Sequence, residues 1–248
     1  MAATWDIWRD DTANREDSLF FRDIVRQYGQ PVLDVGCGTG RIVLDYLAEG
    51  IDTDGVDNSP EMLASCRDKA QKRGLSPNLY AQEMETLALP RTYRTILVPS
   101  SSFQLVTDVE LAWDAIQCFF ALLQSGGALI MPFSFAWKEG TPLQTDWYPV
   151  FEKVRADDGA TVRRLSRASH TPETQLWHSE DRYEVVLNSE VVASEEHQRS
   201  PAGRWYSQEQ ATQLYRDAGF GDIRLLSGFT QNPASAEDKL FCVLGVKP

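Results

Sequence analysis

A chain of 248 residues is long enough for one large α/β domain or for one domain that carries a substantial insertion. Its formal net charge of -12 would repel a phosphate backbone, and no apolar run approaches the roughly 20 residues that cross a bilayer. We therefore expect neither a nucleic-acid partner nor a membrane partner. The first residues lack the basic and apolar regions of a secretory signal, and the scattered cysteines lack metal-ligand spacing. These features predict a soluble, cytoplasmic protein without a metal.

Short apolar runs alternate with longer amphipathic stretches from Gln30 onward, which is the pattern of βαβ units in a parallel sheet. The glycines and caps between these runs divide them into separate elements. Together they predict an α/β fold with a doubly wound, mostly parallel sheet of seven strands. The predicted strands are 31–35, 52–56, 78–81, 95–98, 128–133, 222–227 and 240–246, and the predicted helices of the parallel part are 41–49, 60–73 and 109–124.

Residues 137–201 follow a different pattern. Apolar and polar residues alternate over 161–168, 175–187 and 191–199, with a turn expected at Asn188-Ser189. We expect a small antiparallel sheet, inserted after strand five. The helical period then returns at Ser207, which is spaced as a capping box with Gln210. The predicted domains are therefore 1–136 with 202–248, and an inserted subdomain, 137–201, that covers the substrate site.

A glycine-rich turn joins the first predicted strand to its helix, in the sequence Leu33-Asp34-Val35-Gly36-Cys37-Gly38-Thr39-Gly40-Arg41. Glycines let a ligand approach the main chain closely. The spacing is G-x-G-x-G, whereas the dinucleotide fingerprint is G-x-G-x-x-G, and Arg41 stands where that pattern needs its third glycine. Asp57 ends the second strand, where a carboxylate accepts ribose hydroxyls. The turn predicts a nucleotide-sized ligand and disfavours an NAD-dependent oxidoreductase.

These residues resemble two motifs of the class I S-adenosylmethionine-dependent methyltransferases. Residues 32–41 resemble motif I, an apolar pair followed by D/E-x-G-x-G-x-G, and 55–63 are similar to the second motif, G-x-D-x-S-x-x-M-L. The resemblance extends over about 30–133 and 207–246, and it implies a Rossmann-like fold with S-adenosylmethionine as cofactor and S-adenosylhomocysteine as product. One departure is Arg94, where the fourth strand of the family usually opens with an aspartate.

The resemblance also implies which residues hold the cofactor. The glycines would lie against the methionine moiety and the ribose, and Asp57 would bind the ribose hydroxyls. Asp34 would orient the turn or meet the cofactor amino group, while Glu83 would accept the adenine amino group and Met84 would pack on the adenine. The predicted cofactor residues are Asp34, Gly36, Cys37, Gly38, Gly40, Asp57, Asn58, Met62, Glu83, Met84, Pro99 and Ser100.

The acceptor should lie beyond the carboxyl ends of the strands, as ligands do in open α/β sheets. Aromatic residues are dense in the insertion, which favours a small organic acceptor in an aromatic-lined pocket, although ordinary core packing is the alternative for each of them. No catalytic residue is assigned, and Tyr206, Arg204 and His178 are candidates. The predicted acceptor-binding residues are Trp5, Trp8, Ser102, Phe103, Phe133, Trp137, Trp177, Arg204 and Tyr206.

The resemblance implies methyl transfer to nitrogen or oxygen of a small molecule. The predicted arrangement resembles the subgroup with a small antiparallel sheet after strand five, which includes sugar N-methyltransferases. A carboxyl or carbon methyltransferase is one alternative, and a non-catalytic protein that binds S-adenosylmethionine or S-adenosylhomocysteine is another. We expect a monomer or a homodimer.

Overall fold

The computed structural model describes residues 16–134, 137–155 and 158–248. Contacts between residues divide the chain into two compact units. The first, here the core unit, contains the described residues 16–134 and 206–248. The second, here the inserted unit, contains the described residues of 137–205. No helix of the described residues is long and apolar enough to cross a membrane.

Helices and strands alternate through the core unit, as the sequence predicts. Short 3-10 helices, Met84–Thr86 and Ser102–Leu105, follow the third and fourth strands. The elements are α1 (Glu16–Tyr28), β1 (Val32–Val35), α2 (Arg41–Ala48), β2 (Thr53–Asp57), α3 (Pro60–Lys72), β3 (Asn78–Ala81), β4 (Tyr93–Leu97), α4 (Val109–Leu122) and β5 (Leu123–Ser134), and after the inserted unit α5 (Gln208–Asp217), β10 (Gly221–Ser227) and β11 (Leu240–Val246).

The strands of the core unit form one seven-stranded sheet in the order β10-β11-β5-β4-β1-β2-β3. Strands β1 to β5 pair in parallel, and β10 and β11 close the sheet antiparallel to β5. The predicted mostly parallel, seven-stranded fold is confirmed. Because parallel strands end at the same edge, the residues after β1, β2, β3, β4 and β5 lie along one edge of the sheet.

Helices cover both faces of this sheet. Successive β1 residues face opposite sides, so Leu33 packs in the cluster with Phe119 of α4 and Tyr215 of α5. Val32 packs on the other side, in the cluster with Phe21 of α1. Because both faces of the sheet are covered, Val32, Leu33 and Val35 of β1 are all buried.

Strand β5 begins earlier than the sequence predicts, at Leu123 instead of Ala128. Its register with β4 shifts, since Tyr93 pairs with Leu123 while Thr95 pairs with Ala128. Gly126 adopts a φ of 72° within this irregular stretch. The glycines that looked like a turn before the strand therefore form a bulge inside it.

Arg94, the departure from the family pattern, lies near the start of β4 and therefore at the end of the sheet opposite the glycine turn. Its Nε donates to the Tyr28 carbonyl oxygen at 3.1 Å, and its Nη1 donates to the Ser125 carbonyl oxygen at 2.8 Å. The guanidinium thus ties the end of α1 to the β5 bulge. This position supports the sheet and takes no part at the edge where the cofactor is expected.

The inserted unit is a four-stranded antiparallel sheet in the order β6-β7-β8-β9. The three predicted strands are confirmed as the last three, and the positive φ values of Asn188 and Ser189 confirm the turn between β8 and β9. Strand β6 escaped prediction because it is an edge strand that contains Pro149, which a central strand would exclude. The strands are β6 (Tyr148–Val154), β7 (Thr161–Thr171), β8 (Leu176–Leu187) and β9 (Glu190–Arg204).

Candidate functional site

The glycine turn after β1 is held against the neighbouring strand. The backbone N–H groups of Gly36 and Cys37 both donate to the Val56 carbonyl oxygen, at 2.8 and 3.0 Å. Gly36, Gly38 and Gly40 have φ values of 71°, 55° and 94°, in the left-handed region that favours glycine. The turn is therefore a fixed loop whose conformation depends on its glycines.

The three glycines differ in what a side chain would meet. A Cβ on Gly40 would lie 2.5 Å from the Cys66 sulfur, and one on Gly36 would lie 3.0 Å from the Ser102 hydroxyl. A Cβ on Gly38 would meet nothing within 4 Å. Close packing against neighbouring side chains explains why Gly36 and Gly40 must be glycines. At Gly38, in contrast, the turn borders open space. A ligand can approach the main chain at that point.

Asp57 at the end of β2 lies directly beside this opening. Its Oδ2 accepts the Gly38 backbone N–H at 2.8 Å, and its Oδ1 accepts the Ser59 backbone N–H at 2.9 Å. Each carboxylate oxygen can accept a second hydrogen bond. The carboxylate is thus oriented by two main-chain donors and keeps the capacity to accept two hydroxyl groups, as the predicted ribose contact requires.

Asp34 lies under the turn and is almost fully buried. It accepts a hydrogen bond from the Val43 backbone in the first turn of α2, whose cap residue, Gly40, has no side chain to do so. Its Oδ1 has no hydrogen-bond partner among the described residues. Burial raises the pKa of Asp34 to about 7, against the opposing charge of Arg41. The side chain is therefore bonded to the first turn of α2 and retains one buried acceptor oxygen.

Arg41 makes a contact that the sequence did not predict. Its guanidinium binds both carboxylate oxygens of Asp17, at 2.6 and 3.2 Å, and donates to the Ser18 hydroxyl at 2.8 Å. Only 10% and 13% of the Arg41 and Asp17 side chains are exposed, so this bidentate pair is well shielded. It ties α1 to the helix that follows the glycine turn. No local sequence signal links two residues 24 positions apart.

A second polar group lies after β3. The Asn58 amide donates to the Glu83 carboxylate at 2.8 Å, which joins two predicted cofactor residues from neighbouring loops. Met84 follows and packs, partly buried, against the core. The Met62 backbone N–H donates to the Ser59 hydroxyl and so belongs to the start of α3. The structure therefore brings Asp57, Asn58 and Glu83 to one edge of the sheet, as the motifs predict.

The loop after β4 contains two serines, Ser100 and Ser101, with φ values of 58° and 56°, which are strained for residues other than glycine. The Ser102 hydroxyl donates to the Pro99 carbonyl oxygen at 2.7 Å. These contacts fix the loop that contains the predicted residues Pro99, Ser100 and Ser102. Whether they contact a ligand stays a prediction.

Gln104 is a buried polar residue that sequence reasoning missed. Its amide nitrogen donates to the Ser134 carbonyl oxygen at 3.0 Å, and its amide oxygen accepts the Ser134 backbone N–H at 2.7 Å. This pair of bonds fixes the end of β5 against the loop after β4. The available signal was a single glutamine within the apolar run Phe103–Val106.

Three predicted acceptor residues of the core unit are buried aromatics. Phe103 and Phe133 are fully buried, and the Tyr206 ring lies 5.8 Å from each of theirs. Phe133 also stacks on Phe241 at 5.5 Å. Core packing, the alternative that the sequence left open, accounts for these rings in the structure, and an acceptor contact for them stays a prediction.

The remaining candidates belong to the inserted unit or lie outside the described residues, as Trp5 and Trp8 do. The Trp137 indole N–H donates to the Thr141 carbonyl oxygen at 3.1 Å, and Arg204 donates to the Thr174 carbonyl oxygen at 2.7 Å. Trp177 pairs with His170 across β7 and β8. Both ring nitrogens of His178 are within hydrogen-bonding distance of hydroxyls, Ser200 at 2.8 Å and Thr171 at 3.4 Å. Whether His178 acts as a base stays a prediction.

No group of three or more metal-ligating side chains forms among the described residues. The described cysteines are free thiols, and burial raises the pKa of Cys66, beside the glycine turn, to about 11. A thiol with so high a pKa is a poor nucleophile at neutral pH. The site therefore offers hydrogen-bond acceptors and backbone donors instead of a nucleophile.

The comparisons with known proteins agree with this geometry. Residues 32–127 match a family model described as a methyltransferase domain. Over 247 residues the chain is 22% identical to a putative methyltransferase of Geobacillus sp. strain WCH70, with 97% of this chain and 92% of that protein covered.

A second relative matches a shorter segment. The dTDP-3-amino-3,4,6-trideoxy-alpha-D-glucopyranose N,N-dimethyltransferase of Streptomyces venezuelae is 28% identical over 137 residues, which is 55% of this chain and 54% of that protein. The fold is similar to that in the crystal structure of an S-adenosylmethionine-dependent methyltransferase from Clostridium acetobutylicum. That structure has a TM-score of 0.78 at 19% identity, and the match covers 99% of this chain and 97% of the other.

Proposed function

We propose that this chain is a class I S-adenosylmethionine-dependent methyltransferase that transfers the methyl group to nitrogen or oxygen of a small molecule. An amine on a sugar is the acceptor that we favour. The main support for S-adenosylmethionine as the cofactor is the open space at Gly38, which the carboxylate of Asp57 borders. The acceptor part is supported by the relative that methylates an amino sugar.

The residues at the carboxyl edge of the sheet fit the chemical groups of the cofactor. Asp57 has two acceptor positions for a ribose diol, and the backbone at Gly38 leaves room for the adenosyl group. The unpartnered Oδ1 of Asp34 suits a group that donates a hydrogen bond, such as an ammonium. Glu83, held by Asn58, would accept the adenine amino group. We assign these roles to the side chains of Asp57, Asp34 and Glu83 and to the backbone of Gly38.

The methyl group of bound S-adenosylmethionine is already electrophilic, so the protein mainly has to position the acceptor in line and to allow a proton to leave. Acidic residues exceed basic ones by 36 to 24, which disfavours a polyanionic polymer as the acceptor. The aromatic and polar side chains of the inserted unit suit a small polar molecule. We propose that this unit selects the acceptor.

The test uses the full chain, S-adenosylmethionine labelled in its methyl group, and a panel of acceptors. The panel contains a dTDP-linked 3-amino sugar, its 3-hydroxy counterpart, a fatty acid, a tRNA and a peptide mixture. We expect label in the amino sugar, detected by mass spectrometry as an added methyl group on nitrogen. Label confined to tRNA or peptide would contradict the small-molecule assignment, and label in the fatty acid would favour the carboxyl alternative.

A matched pair of variants in the same assay separates acceptor binding from cofactor binding. Trp137→Ala should lower turnover of the labelled acceptor while the affinity for S-adenosylhomocysteine changes by less than about 1 kcal/mol. Trp113→Ala, an exposed tryptophan on α4, serves as the control and should change neither quantity. If Trp137→Ala leaves turnover unchanged, this residue contributes nothing to acceptor selection.

A further inference from the structure

The loop after β4 has a strained backbone. The Ser102 backbone N–H donates to the Pro99 carbonyl oxygen at 3.0 Å, and the two residues between them, Ser100 and Ser101, have φ values of 58° and 56°. Positive φ at both central positions is typical of a type I′ turn, which glycine, asparagine and aspartate favour. Two consecutive serines in this conformation are strained, and such strain is concentrated at ligand-binding and active sites.

The neighbouring elements do not explain this turn. Asn188 and Ser189 also have positive φ values, 51° and 69°, but they form the two-residue hairpin between β8 and β9, which favours such values. Strand β4 is followed by the 3-10 helix Ser102–Leu105 instead of a paired strand. Ser101 directly precedes that helix, yet its side chain forms no capping hydrogen bond. The conformation of Ser101 therefore serves neither a hairpin nor a helix cap.

The side chain of Ser101 is instead directed at the end of the neighbouring strand. Its Oγ lies within hydrogen-bonding distance, 3.2 Å, of the Oγ of Ser134, the last residue of β5. The buried amide of Gln104 fixes the Ser134 backbone through two hydrogen bonds. Ser134 is exposed and Ser101 is partly exposed. The structure thus holds two accessible hydroxyls together within the core unit.

This pair of hydroxyls lies next to the predicted cofactor site. Strand β4 pairs directly with β1, and β5 pairs with β4. A Cβ on Gly36 would lie 3.0 Å from the Ser102 hydroxyl, so the loop after β4 packs against the glycine turn. The Ser101 and Ser134 hydroxyls are therefore at the carboxyl edge of the sheet, where ligands of open α/β sheets bind.

The chemistry of the pair defines the group that it can bind. When two hydroxyls share a hydrogen bond, one proton lies between them and the other can be donated outward, while each oxygen keeps a lone pair. A hydroxyl or an uncharged amine, which both donates and accepts, can bond to both oxygens. Residues 99–104 and Ser134 include no charged side chain. The pair therefore has no cationic group to balance a carboxylate.

We propose that Ser101 and Ser134 determine acceptor specificity by binding a hydroxyl or amine group of the acceptor in preference to a carboxylate. The strained turn holds the Ser101 hydroxyl in place, and Gln104 is a positioning residue that holds Ser134. This inference rests on the proposed function, because the ligand is taken to be the methyl acceptor. It assigns that acceptor a contact with the core unit.

The kinetic test removes each hydroxyl from the full chain. Ser101→Gly and Ser134→Ala should each raise the KM for the dTDP-linked 3-amino sugar about 3- to 10-fold while kcat changes less, since the lost bond belongs to binding. Glycine adopts a positive φ freely, so Ser101→Gly leaves the turn intact. Ser189→Gly is the matched control, a serine with a φ of 69° in the distant hairpin, and it should leave KM unchanged. Equal KM values in all three variants would overturn the inference.

A binding measurement separates this inference from the proposed function. The full chain, saturated with S-adenosylhomocysteine so that no methyl group can move, is titrated by calorimetry with the 3-amino sugar and with its 3-hydroxy counterpart. We expect both sugars to bind, and Ser101→Gly and Ser134→Ala to bind them more weakly than Ser189→Gly does. This pattern without methylation of either sugar would overturn the proposed function and support the hydroxyl pair. Methylation of the amino sugar with equal affinities in the three variants would do the reverse, and no binding by the unmodified chain would overturn both.

Discussion

Replacing Gly38 with valine should abolish detectable binding of S-adenosylhomocysteine while the chain stays folded. A side chain at this position would extend into the open space beside the turn, where no protein atom lies within 4 Å of its Cβ. The fold loses only the cost of a left-handed φ for a branched residue, roughly 1 to 2 kcal/mol. Isothermal titration calorimetry measures the binding, and circular dichroism measures the fold.

Gly74→Val is the matched control. Gly74 also has a left-handed φ, 66°, and a Cβ there would also meet nothing within 4 Å, but it follows the far end of α3. Both variants therefore carry a similar backbone strain, and only Gly38→Val blocks the turn. If the two variants bind S-adenosylhomocysteine equally well, the cofactor does not lie against Gly38.

Asp57→Ala should weaken the binding of S-adenosylhomocysteine by about 2 to 4 kcal/mol, which is ~30- to 1000-fold in Kd. The carboxylate is expected to accept two ribose hydroxyls, and it also orients the turn through the Gly38 backbone N–H. Both contributions are lost together. Asp57→Asn keeps one acceptor oxygen and should show a smaller loss.

Asp52→Ala controls for the change in net charge. Asp52 precedes β2 at the opposite end from Asp57, and its carboxylate binds Arg91 instead of the turn. This variant should retain the affinity of the unmodified chain in the same calorimetric titration. An equal loss in both variants would mean that Asp57 acts through the general charge of the protein and not through contact with the ribose.

The sequence predicted the glycine turn after β1 and the start of α3 because their signals are local. A glycine turn after an apolar run, and Ser59 followed by Pro60 at the start of α3, each fix the backbone within a few residues. The capping box at Ser207 and Gln210 was found for the same reason and is confirmed. Strand β6 was missed because edge strands tolerate proline and need not alternate.

Local sequence patterns could not predict the long-range contacts beside the candidate site. Arg41 binds Asp17 from 24 positions away, and Gln104 binds the backbone of Ser134 from 30 positions away. Nothing in a single sequence pairs such residues, because the pairing is set by how the helices and loops pack. The same limit applies to Phe103, whose burial reflects its packing against Phe133 and Tyr206.

His170 and His178 show why one residue type gives little information by itself. Both are lone histidines in a predicted sheet, and only His178 is among the catalytic candidates predicted from the sequence. The structure places a hydroxyl within hydrogen-bonding distance of each ring nitrogen of His178 but leaves Nδ1 of His170 without a partner. Alternation along the strands puts the two rings on opposite faces. Only the hydrogen-bond partners distinguish them.

The most direct test of the central claim is the titration of S-adenosylhomocysteine into the unmodified full chain by calorimetry. If the turn at Gly38 and the carboxylate of Asp57 hold the adenosyl cofactor, the heat should saturate at one ligand per chain, and adenosine without the amino acid moiety should bind more weakly. A titration without saturable heat, or one that saturates equally in Gly38→Val, would contradict the account.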